Sequence, residues 1–233
     1  NLKKVRLGLV KDFLAHMDDD TQMAFQAAVN KLKAEGVKFY EVSMPLLPDL
    51  NAAVSFPVAM YEAYDDMVAY LKATGSGVSI EQLADKAASP DVKGTYQALV
   101  IPRKLPGPNN SLVDAKPAYE AAMKKSRHEL QALYRRTFNG HGLDGIVFPT
   151  VPMVAFKATP ESSSLQVFMA TIQNTDPGSN AGLPGLQIPV GLGAQSKLPV
   201  GLEIDGPAGS DRRLLQIGLA IEAVLGRLPA PVR

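Results

Sequence analysis

A lysine and a run of serines are the first residues of this chain that could act as a base and a nucleophile. Lys157 is followed five residues later by Ser162–Ser164. Serine is a poor nucleophile until a neighbouring base takes its proton, and lysine can serve as that base. Serines that precede a helix, however, usually cap its first backbone amides. We therefore interpret the serine run as a helix cap and assign no catalytic residue to it.

Metal and cofactor motifs are the next candidates for chemistry. The three histidines, His16, His128 and His141, lack ligand spacing, and the chain has no cysteine. Gly191–Ser196 approaches a dinucleotide-binding turn, but Ser196 replaces the third glycine. Pro199 then opens another apolar run where a phosphate-binding helix would have to begin. We predict a hairpin loop here, and neither a metal nor a cofactor.

The charge balance bears on the class of partner. Lys and Arg together number 24 against 23 for Asp and Glu. Such a balance provides no broad electrostatic field to attract nucleic acid or anionic lipid. The sequence also has no signal peptide and no long apolar run. We therefore predict no nucleic-acid partner, no membrane partner and a cytoplasmic location.

The amino-terminal part predicts the fold class. Val5–Val10 and Val37–Met44 have the composition of strands, and between them the apolar residues fall on one helical face. Gly36 ends that helix. A strand, a helix and a strand within about forty residues form a βαβ unit, whose strands are parallel. The chain is therefore predicted to be an α/β protein.

Punctuation by Pro, Gly and capping residues predicts the remaining elements. The predicted strands are Asp144–Val151, Leu186–Leu192 and Pro199–Asp205. The predicted helices are Asn51–Ala73, Ser79 to Ala87, one reaching about Arg103, Asp114–Phe138, one from Ser162–Ser164 to about Gln173, and one from Ser210 or Asp211 to Gly226. No internal repeat or linker divides these elements, so residues 1–233 are predicted to form a single domain.

A polar stretch, Asn174–Pro207, follows the helix that ends near Gln173. It opens with a loop rich in Asn, Gly, Ser and Asp, the type of segment that carries sites on a rigid scaffold. Phe168, Ile172 and Thr175 precede or open this loop at spacings i, i+4 and i+7, which predicts one common helical face. That face either lines a pocket or belongs to the ordinary core.

Several motifs of the chain resemble the carboxyl-terminal part of the amidase signature family. They are Asp144–Thr150 (DGIVFPT), Asn180–Pro189 (NAGLPGLQIP) and Leu198–Pro207 (LPVGLEIDGP), the last followed by the final helix. The details look most like the aryl-amide hydrolases of that family, the mandelamide and indoleacetamide hydrolase type. The resemblance implies a mixed β-sheet flanked by helices, as part of a larger amidase.

The resemblance also implies a reaction. The family hydrolyses amides with a serine nucleophile, a bridging cis-serine and a lysine base, and this sequence contains no matching positions. All three would precede Asn1, so an amino-terminal half is the implied partner and the chain alone is expected to be inactive. The implied substrate is a small-molecule aryl amide. Phe168 and Ile172 would contact its aryl or alkyl group, and Thr175 or Thr150 would hydrogen-bond a polar substituent.

Two alternatives stay open at the level of sequence. One is the A-type subunit of a tRNA-dependent amidotransferase, a more distant likeness within the same family. The other is a non-catalytic binding or assembly module derived from an amidase. A homodimer is kept open as the assembly in each case.

Overall fold

The computed structural model describes residues 1–228 and residue 230 of the chain. Its strands are β1 (Arg6–Val10), β2 (Lys38–Val42), β3 (Lys104–Pro106), β4 (Leu112–Asp114), β5 (Gly145–Pro149), β6 (Gly185–Leu192) and β7 (Pro199–Asp205). Its α-helices are α1 (Asp19–Ala34), α2 (Leu47–Ala52), α3 (Ser55–Ala73), α4 (Ile80–Lys86), α5 (Pro90–Thr95), α6 (Lys116–Ala121), α7 (Arg127–His141), α8 (Leu165–Ile172), α9 (Asp176–Ala181) and α10 (Asp211–Leu225).

The chain divides into two compact units. The first unit combines Asn1–Leu47, Gln131–Lys157 and the chain from Met169 onward. The second unit combines Pro48–Leu130 with Ala158–Phe168. The organisation of residues 1–233 as a single domain stays a prediction.

A five-stranded mixed sheet forms the first unit, with the strand order β2-β1-β5-β7-β6. β1 pairs in parallel with β2 and with β5, whereas β7 runs antiparallel to both β5 and β6. The parallel pair of the βαβ unit and the β6–β7 hairpin were both predicted from sequence and are confirmed. The α/β class with a mixed sheet and flanking helices is confirmed as well.

One face of this sheet carries the main hydrophobic core. Strands alternate their side chains between two faces, so Leu202 and Ile204 of β7 point to the face opposite Glu203 and Asp205. Leu202 and Ile204 are fully buried in a cluster that includes Phe25 from α1 and the apolar stripe of α10. Two helices therefore cover this face, and the acidic pair lies on the other.

The second unit is mainly helical. α3 begins at Ser55 after a break at residues 53–54, and Pro57 lies in its first turn, where proline is tolerated. A capping box formed by Ser79 and Gln82 opens α4 at the predicted start of this helix. β3 and β4 form a small antiparallel ribbon that the sequence analysis did not predict, because strands of three residues are too short to show alternation.

The predicted long helix is present, but it contains a wider turn. α6 and α7 are joined through a π-helical turn at Ala122–Ser126, and a similar turn, Tyr96–Val100, follows α5. Leu130, Tyr134 and Phe138 fall on one face of α7 and are buried. In the described part of the chain, no helix is both long and apolar enough to cross a membrane.

Candidate functional site

The segment 172–175 leads from the end of α8 to α9 and contains two of the predicted site residues, Ile172 and Thr175. α8 ends at Ile172, and the amide of Thr175 donates to the Ile172 carbonyl over 3.0 Å. The Thr175 hydroxyl donates to the same carbonyl over 3.3 Å. The sequence predicts a loop after Thr175, but the structure has the short helix α9, with Pro177 in its first turn and Gly182 at its end in the left-handed conformation (φ 73°).

This end of α8 changes the predicted common face. Phe168 and Ile172 remain one helical turn apart, as predicted. Thr175 lies beyond the helix, so its predicted i+7 relation to Phe168 does not hold. Ile172 and Thr175 are half-buried, whereas the Phe168 side chain is 46% exposed. Substrate binding by these three residues stays a prediction.

Asn174 fixes this segment to the sheet of the first unit. Its side-chain amide donates to the carbonyl of Pro149 over 2.8 Å and to that of Phe13 over 3.0 Å. The side chain is 1% exposed, so all three groups lie away from water. Since buried carbonyls need partners, Asn174 satisfies two at once. Sequence reasoning missed this role because a single asparagine in a polar loop gives no signal of its long-range partner.

Thr150 directly follows Pro149 and therefore lies beside the Asn174 anchor. The Thr150 amide donates to the carbonyl of Gly201 over 3.1 Å, which extends the pairing of β5 with β7. Its side-chain hydroxyl is buried and has no hydrogen-bond partner among the described residues. A buried hydroxyl without a partner is unfavourable, so a hydrogen-bonding group placed beside Thr150 would be stabilising.

Gly201 creates the space around that hydroxyl. A Cβ atom added at Gly201 would lie 3.0 Å from the Thr150 Oγ1 atom and would overlap the side-chain amide of Gln187. Gln187 comes from β6, opposite Glu203 of β7. The three strands thus present Thr150, Gln187 and Glu203 around a glycine, which is a polar patch next to the segment that Asn174 anchors.

Phe168 lines a small apolar cavity within the second unit. The cavity has a volume of about 170 Å³ and a mainly apolar lining, with two polar members: Phe56, Met60, Asp91, Val92, Thr95, Tyr96, Leu165 and Phe168. Aromatic and thioether side chains suit an aromatic ring, since they bury apolar surface and contact the ring edge and face favourably. The cavity is therefore of a type that could take an aryl group.

Glu203 and Asp205 form an acidic pair on the face of the sheet opposite the main core. Burial raises the pKa of Glu203. Burial, and then the neighbouring charge of Glu203, raises the pKa of Asp205 to about 8. Asp205 is 3% exposed, and its Oδ2 atom has no hydrogen-bond partner among the residues described. Two carboxyls on one strand, at positions i and i+2, disfavour each other's ionisation.

The predicted hairpin loop is confirmed, and its amides are already occupied. The amides of Gln195 and Ser196 donate to the two carboxylate oxygens of Asp20 over 2.9 and 2.8 Å. These hydrogen bonds lower the pKa of Asp20, and the bond from the Gln195 amide has the largest effect. The protein's own carboxylate thus takes the place that a phosphate would need, which agrees with the interpretation of this loop as structural.

The serine run has the capping role that the sequence predicts. The Ser162 hydroxyl accepts from the Thr159 amide over 3.2 Å, and the Ser164 hydroxyl accepts from the Val167 amide at the start of α8. No group of three or more acidic, histidine or cysteine side chains that could hold a metal ion is found in residues 1–228 and 230.

Comparison with solved structures places the fold. A peptide amidase from Stenotrophomonas maltophilia superposes with a TM-score of 0.69 at 21% identity, over 99% of this chain and 45% of that one. The A subunit of the glutamyl-tRNA(Gln) amidotransferase from Thermotoga maritima superposes with a TM-score of 0.60 at 22% identity, over 95% of this chain and 42% of that one. At these identities the likeness shows a shared fold alone.

Curated relatives are much closer in sequence. A mandelamide hydrolase from Pseudomonas putida is 39% identical over 231 residues, which is 99% of this chain and 46% of that relative. An indoleacetamide hydrolase from Agrobacterium vitis is 40% identical over 232 residues, or 96% of this chain and 47% of that relative. The chain thus spans about half the length of the curated relatives it matches.

The family assignment follows from the sequence match itself. The family model described as amidase matches residues 1–215 of this chain. The resemblance inferred from the DGIVFPT, NAGLPGLQIP and GLEIDGP motifs is therefore confirmed: the chain belongs to the amidase family.

Proposed function

We propose that this chain is the substrate-pocket half of an enzyme that hydrolyses a small aryl carboxamide to a carboxylate and ammonia. The observation that carries the proposal is the buried, unpartnered hydroxyl of Thr150 beside the segment that Asn174 anchors. The identity of 39–40% to hydrolases of mandelamide and indoleacetamide supports an aromatic substrate, since both amides carry an aromatic ring.

In this proposal each predicted site residue has a distinct role. The Thr150 hydroxyl donates a hydrogen bond to a polar group of the substrate, and that bond satisfies the hydroxyl. Thr175 lies on the adjoining segment and offers a second hydroxyl. Ile172 and Phe168, one helical turn apart on α8, contact the aryl or alkyl part of the substrate. Each apolar contact contributes about 1–3 kcal/mol to binding.

The nucleophile and base of the reaction are proposed to lie outside this chain. No residue of the chain is assigned to the serine, cis-serine or lysine of the family, so the chain alone is proposed to be inactive. An amino-terminal half is its proposed partner, and the cytoplasmic location and a homodimer stay predictions. The amidotransferase alternative is not favoured, because the relatives at 39–40% identity are amide hydrolases and the match to the Thermotoga subunit shows only the fold.

Shortening Ile172 tests this function. In the full-length protein, Ile172→Ala is expected to lower kcat/KM for phenylacetamide about tenfold relative to that for propionamide, because an aryl substrate loses more apolar contact than a small aliphatic one. The two kcat/KM values are measured by ammonia release. Leu219→Ala is the matched control, since Leu219 on α10 is 68% exposed and is expected to leave the ratio unchanged. An equal loss for both amides, or none, would assign Ile172 to ordinary packing.

A further inference from the structure

The Asp205 carboxyl occupies a space that two glycines leave for it. A Cβ atom added at Gly178 of α9 would overlap the Asp205 Oδ2 atom. A Cβ atom added at Gly185 of β6 would lie 3.0 Å from Asp205 Oδ1 and 2.9 Å from Glu203 Oε1. The carboxyl therefore packs directly against the backbone of the first turn of α9, with no side chain between them.

The first turn of α9 is continuous with the proposed substrate-binding segment. The Ser179 amide and hydroxyl donate to the Thr175 carbonyl over 3.2 and 3.0 Å. The Thr175 amide in turn donates to Ile172. At the other end of α9, the Gln131 side chain donates to the Ala181 carbonyl over 3.2 Å. A displacement at Gly178 would therefore be transmitted along hydrogen bonds to Thr175 and Ile172.

The groups that face Asp205 make its charge unfavourable. Glu203 lies on the same strand, and the Tyr134 hydroxyl of α7 is buried and, in the described part of the chain, has no hydrogen-bond partner. Burial, then the charges of Asp205 and of Asp176 at the start of α9, raise the pKa of Tyr134. The cross-strand neighbours of Asp205 are Ile146 and Gly185, which carry no charge. No cation that would stabilise an ionised Asp205 lies among these neighbours.

We propose that Asp205 is a positioning residue, which holds α9 and with it the substrate-binding segment 172–175 by seating its carboxyl beneath Gly178. In its neutral form the Asp205 carboxyl neither repels Glu203 nor carries a charge into its apolar surroundings. Once ionised, it repels Glu203 and draws water toward α9, so the segment loses its position. This inference rests on the proposed function for the role of segment 172–175 in binding substrate. The packing of Asp205 against α9 does not depend on that function.

The first test compares Michaelis constants in the full-length protein. Between pH 7 and pH 9 the KM for phenylacetamide is expected to rise about tenfold, because the fraction with a neutral Asp205 falls to about one-tenth. Asp205→Asn keeps the shape of the side chain but cannot ionise, so its KM should stay level over this range. Asp211→Asn, at an exposed position in the first turn of α10, is the matched control and should rise as the wild type does.

The second test needs no turnover. Hydrogen–deuterium exchange of the full-length protein is expected to show lower protection factors for residues 169–183 at pH 9 than at pH 7, while α10 peptides keep theirs. Asp205→Asn should abolish the difference. If wild-type protection in this segment is the same at both pH values, or changes equally in Asp205→Asn, the positioning role is overturned. If the protein hydrolyses no amide, the proposed function fails while this exchange result still decides the role of Asp205.

Discussion

Replacing Asn174 with alanine is expected to lower the free energy of unfolding by about 2–5 kcal/mol, a large effect for one small side chain. The substitution leaves the carbonyls of Phe13 and Pro149 buried without their donor. Each buried polar group that loses its partner costs about 1–3 kcal/mol. Urea denaturation of the chain, monitored by circular dichroism, measures the change.

A matched control separates this effect from the loss of any asparagine. Asn30 on α1 is exposed, and its side chain accepts the exposed amide of Gln26 over 3.0 Å. Asn30→Ala is therefore expected to change stability by no more than about 0.5 kcal/mol. Asn174→Asp is a stricter comparison, because it keeps the size of the side chain while removing both N–H donors. If Asn174→Ala or Asn174→Asp costs no more than Asn30→Ala, the segment is not anchored as described.

Stability is expected to fall as the pH rises from about 4 to about 8. The pKa of Asp205 is raised to about 8 by burial and by Glu203, whereas in the unfolded chain it is near its ordinary value of 3.8. Between these values the folded state binds a proton that the unfolded state has released, so each pH unit removes about 1.4 kcal/mol. The stabilisation is complete below the unfolded pKa and is lost as the pH reaches about 8.

Urea unfolding at a series of pH values measures this slope. From pH 5 to pH 8 the wild-type chain is expected to lose about 4 kcal/mol of unfolding free energy. Asp205→Asn should remove most of the slope, and Asp211→Asn should retain it. A wild-type curve that is flat over this range, or a slope that Asp205→Asn leaves unchanged, would show that Asp205 is ionised in the folded state.

On the acid side, the lowered pKa of Asp20 predicts a further loss of stability as the pH falls below about 4.

The regular elements were predictable because residues next to them in the sequence define their boundaries. Apolar periodicity and the closing Gly36 define α1, and Pro199 and Gly206 enclose β7, which has the predicted bounds Pro199–Asp205. Local patterns also predicted the parallel pairing of β1 with β2, since a helix connects them. The order β1-β5-β7 in the middle of the sheet could not be read from such patterns, because it depends on contacts between distant segments.

Short elements were the main errors. α9 has only six residues, and its composition of Asp, Pro, Gly, Ser and Asn favours a turn. Tertiary contacts overrule that preference, since Gly178 packs on Asp205 and Gln131 binds the far end of the helix. The π-helical turns that interrupt the helices have no sequence signature of their own.

The candidate site was predictable only in part. The motifs located its neighbourhood, and Thr150 was named from the resemblance to the amidase signature family. The partners that give the site its physical character, Asn174, Gly201 and Asp205, were not named as such. Each acts through a contact with a residue far away in sequence, and neither a lone polar residue nor a glycine reveals which distant group it meets.

Ammonia release from phenylacetamide tests most directly whether this chain supplies the pocket while the nucleophile and base lie elsewhere. The pure 233-residue chain is assayed beside the same chain co-expressed with an amino-terminal half of the full-length protein. The expected result is no release above the uncatalysed background for the chain alone and clear release for the pair. Turnover by the pure chain would contradict the proposal by placing the nucleophile within it, and a pair that binds together but releases no ammonia would show a non-catalytic module instead.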